Sequence, residues 1–349
     1  MIAGMDRTRR WVRRAARAAL ALCAALVLAA GSLIVALDFE AAGDLTASGN
    51  PAASGDPAAP GSPGPARSTG DDAEWLGHAW VDGRRTQSDV DALAAALRPT
   101  GIHDLFVHAG PFSDDGTLDP ALRPRARWLV DALHTALPGV RVQAWLGAHP
   151  TDDELHLGDP ATQANILAAD AQVLDDGFDG IHYDFEPVND GDPRLTAVLA
   201  RTHALTRSRG ALLSVSAVHT EAWSWMSSVT PLLWSRAYLH AVAVEVDQVA
   251  VMSYDTMLPS ETAYAGYVRR STEIALAAVP PGVTLFMGVP AYHDERPTHH
   301  RAAETVTAAV RGVRLALGGT PRDRRVGLAL YVDFAATSAD WSAYSAWVS

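Results

Sequence analysis

The sequence predicts an α/β fold in which eight strand–helix units close into a (β/α)8 TIM barrel. An N-terminal transmembrane or signal helix and a flexible linker precede it. Three observations predict this. Short β-rich runs alternate with helical ones from residue 75 to the end of the chain. Their number and the length they occupy suit a barrel, which needs about 250 residues. No Gly-rich phosphate turn follows the first strand, as a doubly wound open sheet would favour.

The elements follow in chain order. Arg7 to Arg17 form a basic flank, and Ala18 to Leu37 are apolar or small, long enough to span a bilayer with the arginines held inside. A cleaved signal peptide, with Ala29-Ala30-Gly31 as processing site, is the rival reading. Either way the remainder is expected outside the cytoplasm, secreted or membrane-anchored. Residues 1–40 are assigned to this segment. Residues 41–74 are Ala, Gly, Pro, Ser and Asp with few large apolar side chains, and are read as a tether that cannot bury a core. Strands are expected at Leu76–Val81, Asp104–Ala109, Arg141–Gly147, Gly180–Glu186, Leu212–Val218, Gln248–Tyr254, Thr284–Val289 and Gly327–Val332. Helices are expected at Ser88–Arg98, Arg123–Leu137, Ala161–Asp175, Pro193–Ser208, around Leu232–Val242, and at Thr262–Ala278, Ala302–Leu317 and Ala339–Trp347. Residues 75–349 thus form the barrel domain.

Composition narrows the function. All 28 basic residues are Arg, and the net charge is −12. Because residues 1–17 hold six of those Arg, the barrel is more acidic than the whole chain, which argues against nucleic acid as a partner. The single Cys, Cys23, lies in the N-terminal apolar run, so the barrel cannot form a disulfide.

The chemistry concentrates on the fourth strand, Phe178-Asp179-Gly180-Ile181-His182-Tyr183-Asp184-Phe185-Glu186-Pro187. Strand alternation sends His182, Asp184 and Glu186 to one face. Two carboxylates side by side are costly to bury unless the site uses them. Ionised Asp184 would raise Glu186, which then stays protonated and can donate to a leaving group. In a barrel the catalytic residues lie at the C-terminal strand ends. Those ends carry His78 and Trp80, His108, Trp145 and His149, Asp184 and Glu186, His219, Tyr254 and Asp255, Tyr292 and His293, and Asp333.

This fourth-strand segment resembles the DxxDxDxE signature of glycoside hydrolase family 18, the chitinase-like enzymes. Val246-Asp247-Gln248-Val249-Ala250-Val251-Met252-Ser253-Tyr254-Asp255 resembles that family's sixth-strand Met-x-Tyr-Asp, and Met287-Gly288-Val289-Pro290-Ala291-Tyr292 its seventh strand. The resemblance implies a retaining glycosidase using substrate-assisted catalysis, for which the absence of an acid at the end of strand seven is suitable. It implies that Glu186 is the general acid and base, that Asp184 binds the acetamido N–H, that Tyr254 holds its carbonyl, and that Asp255 contacts the sugar. The partner implied is an N-acetylhexosamine glycan or cell-wall fragment, and no cofactor is expected.

The sequence departs from that pattern at two positions. His182 stands where the signature most often has an Asp. It is either a cation paired with Asp184 or a neutral imidazole packed in the barrel interior. Tyr331 replaces a common pocket-floor Trp. His182 is also a candidate for substrate contact, and Trp145, Trp223, Trp225, Tyr292 and Tyr331 are candidates for sugar contact, since aromatic faces suit pyranose rings; most of the ten Trp must simply be core. Two alternatives stand beside the glycosidase: a glycan-binding barrel without activity, and a metal-dependent hydrolase using His78, His108, His149, His182, His219 or His293 with Asp184 and Asp333. The close ligand spacing of a metal site is missing, so no metal is expected. His299-His300 is read as a solvated loop pair.

Overall fold

The computed structural model describes residues 35–44, 66–151, 153–220, 230, 232–318 and 324–348. Eight parallel strands form a closed barrel in sequence order: β1 Asp72–Leu76, β2 Ile102–Pro111, β3 Arg141–Ala148, β4 Gly180–Phe185, β5 Leu212–Ala217, β6 Gln248–Met252, β7 Thr284–Pro290 and β8 Val326–Tyr331. A helix follows each strand: α1 Gln87–Leu97, α2 Ala126–Ala136, α3 Pro160–Asp175, α4 Pro193–Ser208, α5 Arg236–Ala243, α6 Glu261–Ala278, α7 Val306–Leu317 and α8 Ser338–Val348. Helix starts are written locally. Asp159 and Asp192 cap α3 and α4 with Pro in the first turn, and Ser235, Ser260 and Thr305 cap α5, α6 and α7. Each such cap is worth about 1 kcal/mol.

The barrel interior is layered. At the N-terminal end of the strands the side chains of Gln143 and Gln248 donate to Asp104, which also pairs with Arg141, so this polar plug is satisfied internally. Above it Trp75, Phe106 and Phe286 form a dry aromatic layer. Ionisable groups gather above that layer, at the mouth.

The first strand begins at Asp72, four residues before the expected start and within the segment read as tether. The reason is Asp72 itself. Its buried carboxylate accepts from the Leu328 N–H (2.8 Å), the Tyr344 hydroxyl (2.7 Å), Ser68 (2.6 Å) and the Trp347 indole (3.1 Å), stitching β1 to β8 and α8. His78–Trp80, expected within the strand, is a 3-10 turn; the Trp80 indole donates to Asp333 at 2.7 Å, which removes it from the barrel interior.

Residues 35–43, divided in the sequence reading between anchor and tether, are helical and lie against α6. Phe39 is buried, with its ring edge-on to Tyr267 at 5.5 Å. The backbones touch at Gly43 and Gly266: a Cβ on Gly266 would fall 1.8 Å from the Phe39 carbonyl oxygen. Among the described residues no helix is long and apolar enough to cross a membrane. The basic flank, Cys23 and nearly all of the apolar run lie outside the described residues.

Candidate active site

The site is built on the end of β4. Parallel pairing places His182 beside Trp145 of β3 and Ser214 of β5, and sets Asp184 one step nearer the mouth. Glu186 follows one residue beyond the strand, on the same face by alternation. Asp184 and Glu186 line two cavities at once. One, of about 360 Å³, is bounded by His219, Tyr254, Asp255, Tyr292 and Tyr331; the other, of about 320 Å³, by His108, Phe112, His149 and Glu154.

Asp184 is held from one side. Its Oδ2 accepts from the Trp145 indole at 2.9 Å. Its Oδ1 has no protein partner. Burial raises its carboxyl above the usual range, and the Trp145 and Ser216 side chains oppose that rise. Although Glu186 opens to solvent, desolvation first, and the charges of Asp184 and Asp255 second, push it up to about 8. Two neighbouring carboxyls that resist ionisation retain a proton at neutral pH, and the causes place it on Glu186.

Three tyrosines wall the larger cavity. Tyr254 stacks on Tyr331 with centroids 5.3 Å apart, and Tyr292 stands edge-on to Tyr254 at 5.9 Å. Burial lifts Tyr254 well above its ordinary value and Tyr331 to about 12, so both hydroxyls remain donors. His219 is fixed by donating Nε2–H to the Tyr254 carbonyl at 2.6 Å, and burial lowers its pKa. Asp255 follows in the left-handed backbone region, φ 59°, and its Oδ1 accepts from the Tyr292 hydroxyl at 2.8 Å.

His182 does not pair with Asp184, and it does not reach either cavity. It is completely buried, stacked on Phe106 at 3.8 Å. The Trp75 indole donates to its Nε2 at 3.1 Å, so Nδ1 carries the proton and donates to Ser214 at 2.7 Å. Desolvation lowers its pKa to about 3. An imidazolium in this dry layer would lack a counter-ion, so the neutral packed alternative holds and the ion pair and substrate contact do not form. Trp145, a candidate for sugar contact, is nearly buried and directed at Asp184. Trp223 and Trp225 lie outside the described residues.

The rival metal set is dispersed. His78 and His108 meet each other at 3.2 Å, His149 pairs with Glu154, and His293 pairs with Asp340. Among the described residues no cluster of three or more His, Cys, Asp or Glu is arranged to hold a metal ion.

The solvated reading of His299 is overturned: its side chain is buried and stacked on Tyr292 at 4.3 Å, with Glu304 beside it. Ser216, Arg296, His299 and Glu304 complete the surroundings without having been singled out from sequence as site residues. Of these Ser216 was readable, because the alternation Ser214-Val215-Ser216 on β5 repeats that of His182 and Asp184.

No protein-family model and no curated protein sequence matches the chain. Solved structures do match in fold. A chitinase from Chromobacterium violaceum superposes with a TM-score of 0.57 at 16% identity, covering 81% of this chain and 99% of that one. The spore cortex-lytic enzyme SleL of Bacillus megaterium gives 0.58 at 15%, covering 81% and 75%. The Group IV chitinase of Ostrinia furnacalis gives 0.54 at 16%, covering 79% and 99%. The chain shares the barrel fold of these proteins.

Proposed function

We propose that this chain is a retaining glycoside hydrolase of the chitinase-like type. It cleaves a β-linked N-acetylhexosamine glycan with the substrate's own acetamido group as nucleophile. The observation that carries this is the pairing of Glu186, held protonated up to about 8, with Asp184, whose Oδ1 is buried and unpartnered. An unpaired buried acceptor is costly, and an acetamido N–H on the bound sugar would satisfy it.

The steps are those that the resemblance to glycoside hydrolase family 18 implies, placed on these residues. The Glu186 carboxyl gives its proton to the glycosidic oxygen as the bond from that oxygen to the anomeric carbon breaks. The acetamido oxygen forms a bond to the same carbon on the opposite face, while Asp184 accepts from the acetamido N–H and balances the charge. Tyr254 donates to the acetamido oxygen. Glu186, now a carboxylate, takes a proton from water, whose oxygen attacks the anomeric carbon and reopens the ring with configuration retained. Asp255, Tyr292 and Tyr331 contact the sugar in the larger cavity. Because cavities open on both sides of Glu186, sugar units are accommodated on both sides of the cut, which favours a polymer. The Arg-rich flank and apolar run support an exported, membrane-tethered enzyme acting on cell-wall or surface glycan.

The test compares N-acetylglucosamine oligomers and peptidoglycan fragments with fully de-N-acetylated oligomers, using the full chain. Cleavage is expected of acetylated substrates alone. Equal cleavage of the de-N-acetylated oligomers would eliminate acetamido participation.

A further inference from the structure

We propose that His299 and Glu304 are positioning residues that hold Asp255 from behind the cavity wall, so that its carboxylate meets the bound sugar in one orientation. This rests on the function proposed above, in which Asp255 is the sugar-binding acid.

Asp255 and Met257 both occupy left-handed backbone, φ 59° and 61°, which side-chain-bearing residues adopt only when their surroundings impose it. The imposing contacts come from the loop between β7 and α7. Glu304 Oε1 accepts the Thr256 N–H at 3.1 Å, and the Thr298 carbonyl accepts the Met257 N–H at 3.0 Å. The turn carrying Asp255 is therefore clamped on both sides of Thr256.

His299 fills the space behind the carboxylate. Its ring lies on Tyr292, the residue that donates to Asp255. Its Nδ1 is 3.5 Å from Asp255 Oδ1 and 3.4 Å from Glu304 Oε2, with the imidazole and Glu304 side chains sealed from solvent. Neither ring nitrogen has a formed hydrogen bond in this state. An imidazole set between two carboxylates with both nitrogens unspent is poised to donate to either one. Reciprocal backbone bonds between Arg296 and His299, both 3.0 Å, hold the imidazole in place. Asp255 faces it from the β6–α6 loop. Glu304, Arg296, Glu295 and Asp294 act on it from the β7–α7 loop, and the Glu304 charge in turn acts on Tyr264 and Tyr267 of α6. Burial raises Glu304 to about 7 and lowers His299.

The test uses His299→Phe, which keeps the ring on Tyr292 and removes the N–H, beside His299→Gln, whose amide can donate. Each is placed in the full chain with Glu186→Gln, and binding of an N-acetylglucosamine oligomer is measured without turnover. His299→Phe is expected to weaken binding about tenfold, the scale of a hydrogen bond to a charged group, with melting temperature retained and with His299→Gln restoring part of the loss. Glu304→Gln keeps an oxygen for the Thr256 N–H; it carries the same test should His299→Phe not fold. Unchanged binding in the foldable variants, or a loss that follows melting temperature without rescue, overturns the proposal. Should the parent chain bind no oligomer, the functional reading falls separately. A crystal structure of the variant then decides: an Asp255 carboxylate still bonded to Tyr292 at its parent position refutes positioning, and a displaced one supports it.

Discussion

Replacing His182 with Asn alters how stability depends on acid, and the size of the effect follows from burial. In the folded chain His182 sits between Phe106, Trp75 and Ser214 with no exposure, and its pKa falls to about 3 from the ordinary 6.5. In the unfolded chain it titrates normally. Between these values the unfolded state binds the extra proton, so stability is complete above 6.5 and is lost as pH falls toward 3. At pH 4.5 the loss is about 3 kcal/mol, two units at about 1.4 kcal/mol each. The assay is urea unfolding of parent and His182→Asn at pH 7 and pH 4.5. The parent should lose about 3 kcal/mol more than the variant between the two conditions, and this double difference cancels whatever the substitution itself costs. Equal acid sensitivity of the two chains would mean that His182 is already protonated when folded, and the neutral imidazole would have to be abandoned.

Two further outcomes follow from the site. In the proposed mechanism catalysis needs the Glu186 proton, so turnover should hold through neutrality and fall as pH rises through about 8; a pH–rate profile whose basic limb lies near 4.5 to 5 would show an unperturbed carboxyl. Trp145→Phe removes the indole donor from Asp184 while preserving the aromatic volume. It should lower kcat by at least about tenfold with little change in melting temperature, and an unchanged kcat would leave Asp184 without need of that bond.

The strand with Asp184 and Glu186 was legible because alternation is a local rule: once β4 is a strand, three side chains must share a face. The rule that barrel sites lie at the C-terminal strand ends located Tyr254, Asp255 and Tyr292, and the family resemblance supplied their expected roles. These rules failed where position depends on distant partners. The start of β1 was hidden because an acidic Asp71-Asp72 pair reads as linker until Tyr344 and Trp347, more than 270 residues away, accommodate the second carboxylate. Trp80 looked like a strand residue because nothing nearby marks its bond to Asp333. The ionisation of His182 could not be read because it depends on Phe106 and Trp75 from two other strands. His299, in a run of Asp, Glu, Arg, Pro and His, has every local mark of a solvated loop. Its burial comes from that loop folding back over Tyr292 and meeting Glu304. Residues 35–43 show the same limit, since the Gly43–Gly266 contact joins positions far apart in the chain.

In the proposed mechanism Glu186 supplies the proton and no metal takes part. The most direct measurement is hydrolysis of an N-acetylglucosamine oligomer by the full chain, by its Glu186→Gln variant, and by the parent after EDTA treatment. Cleavage by the parent is expected, with loss of at least about a thousandfold in the variant, consistent with removal of a general acid that also serves as base, and full activity in EDTA. Activity surviving Glu186→Gln, or vanishing in EDTA, would contradict that mechanism.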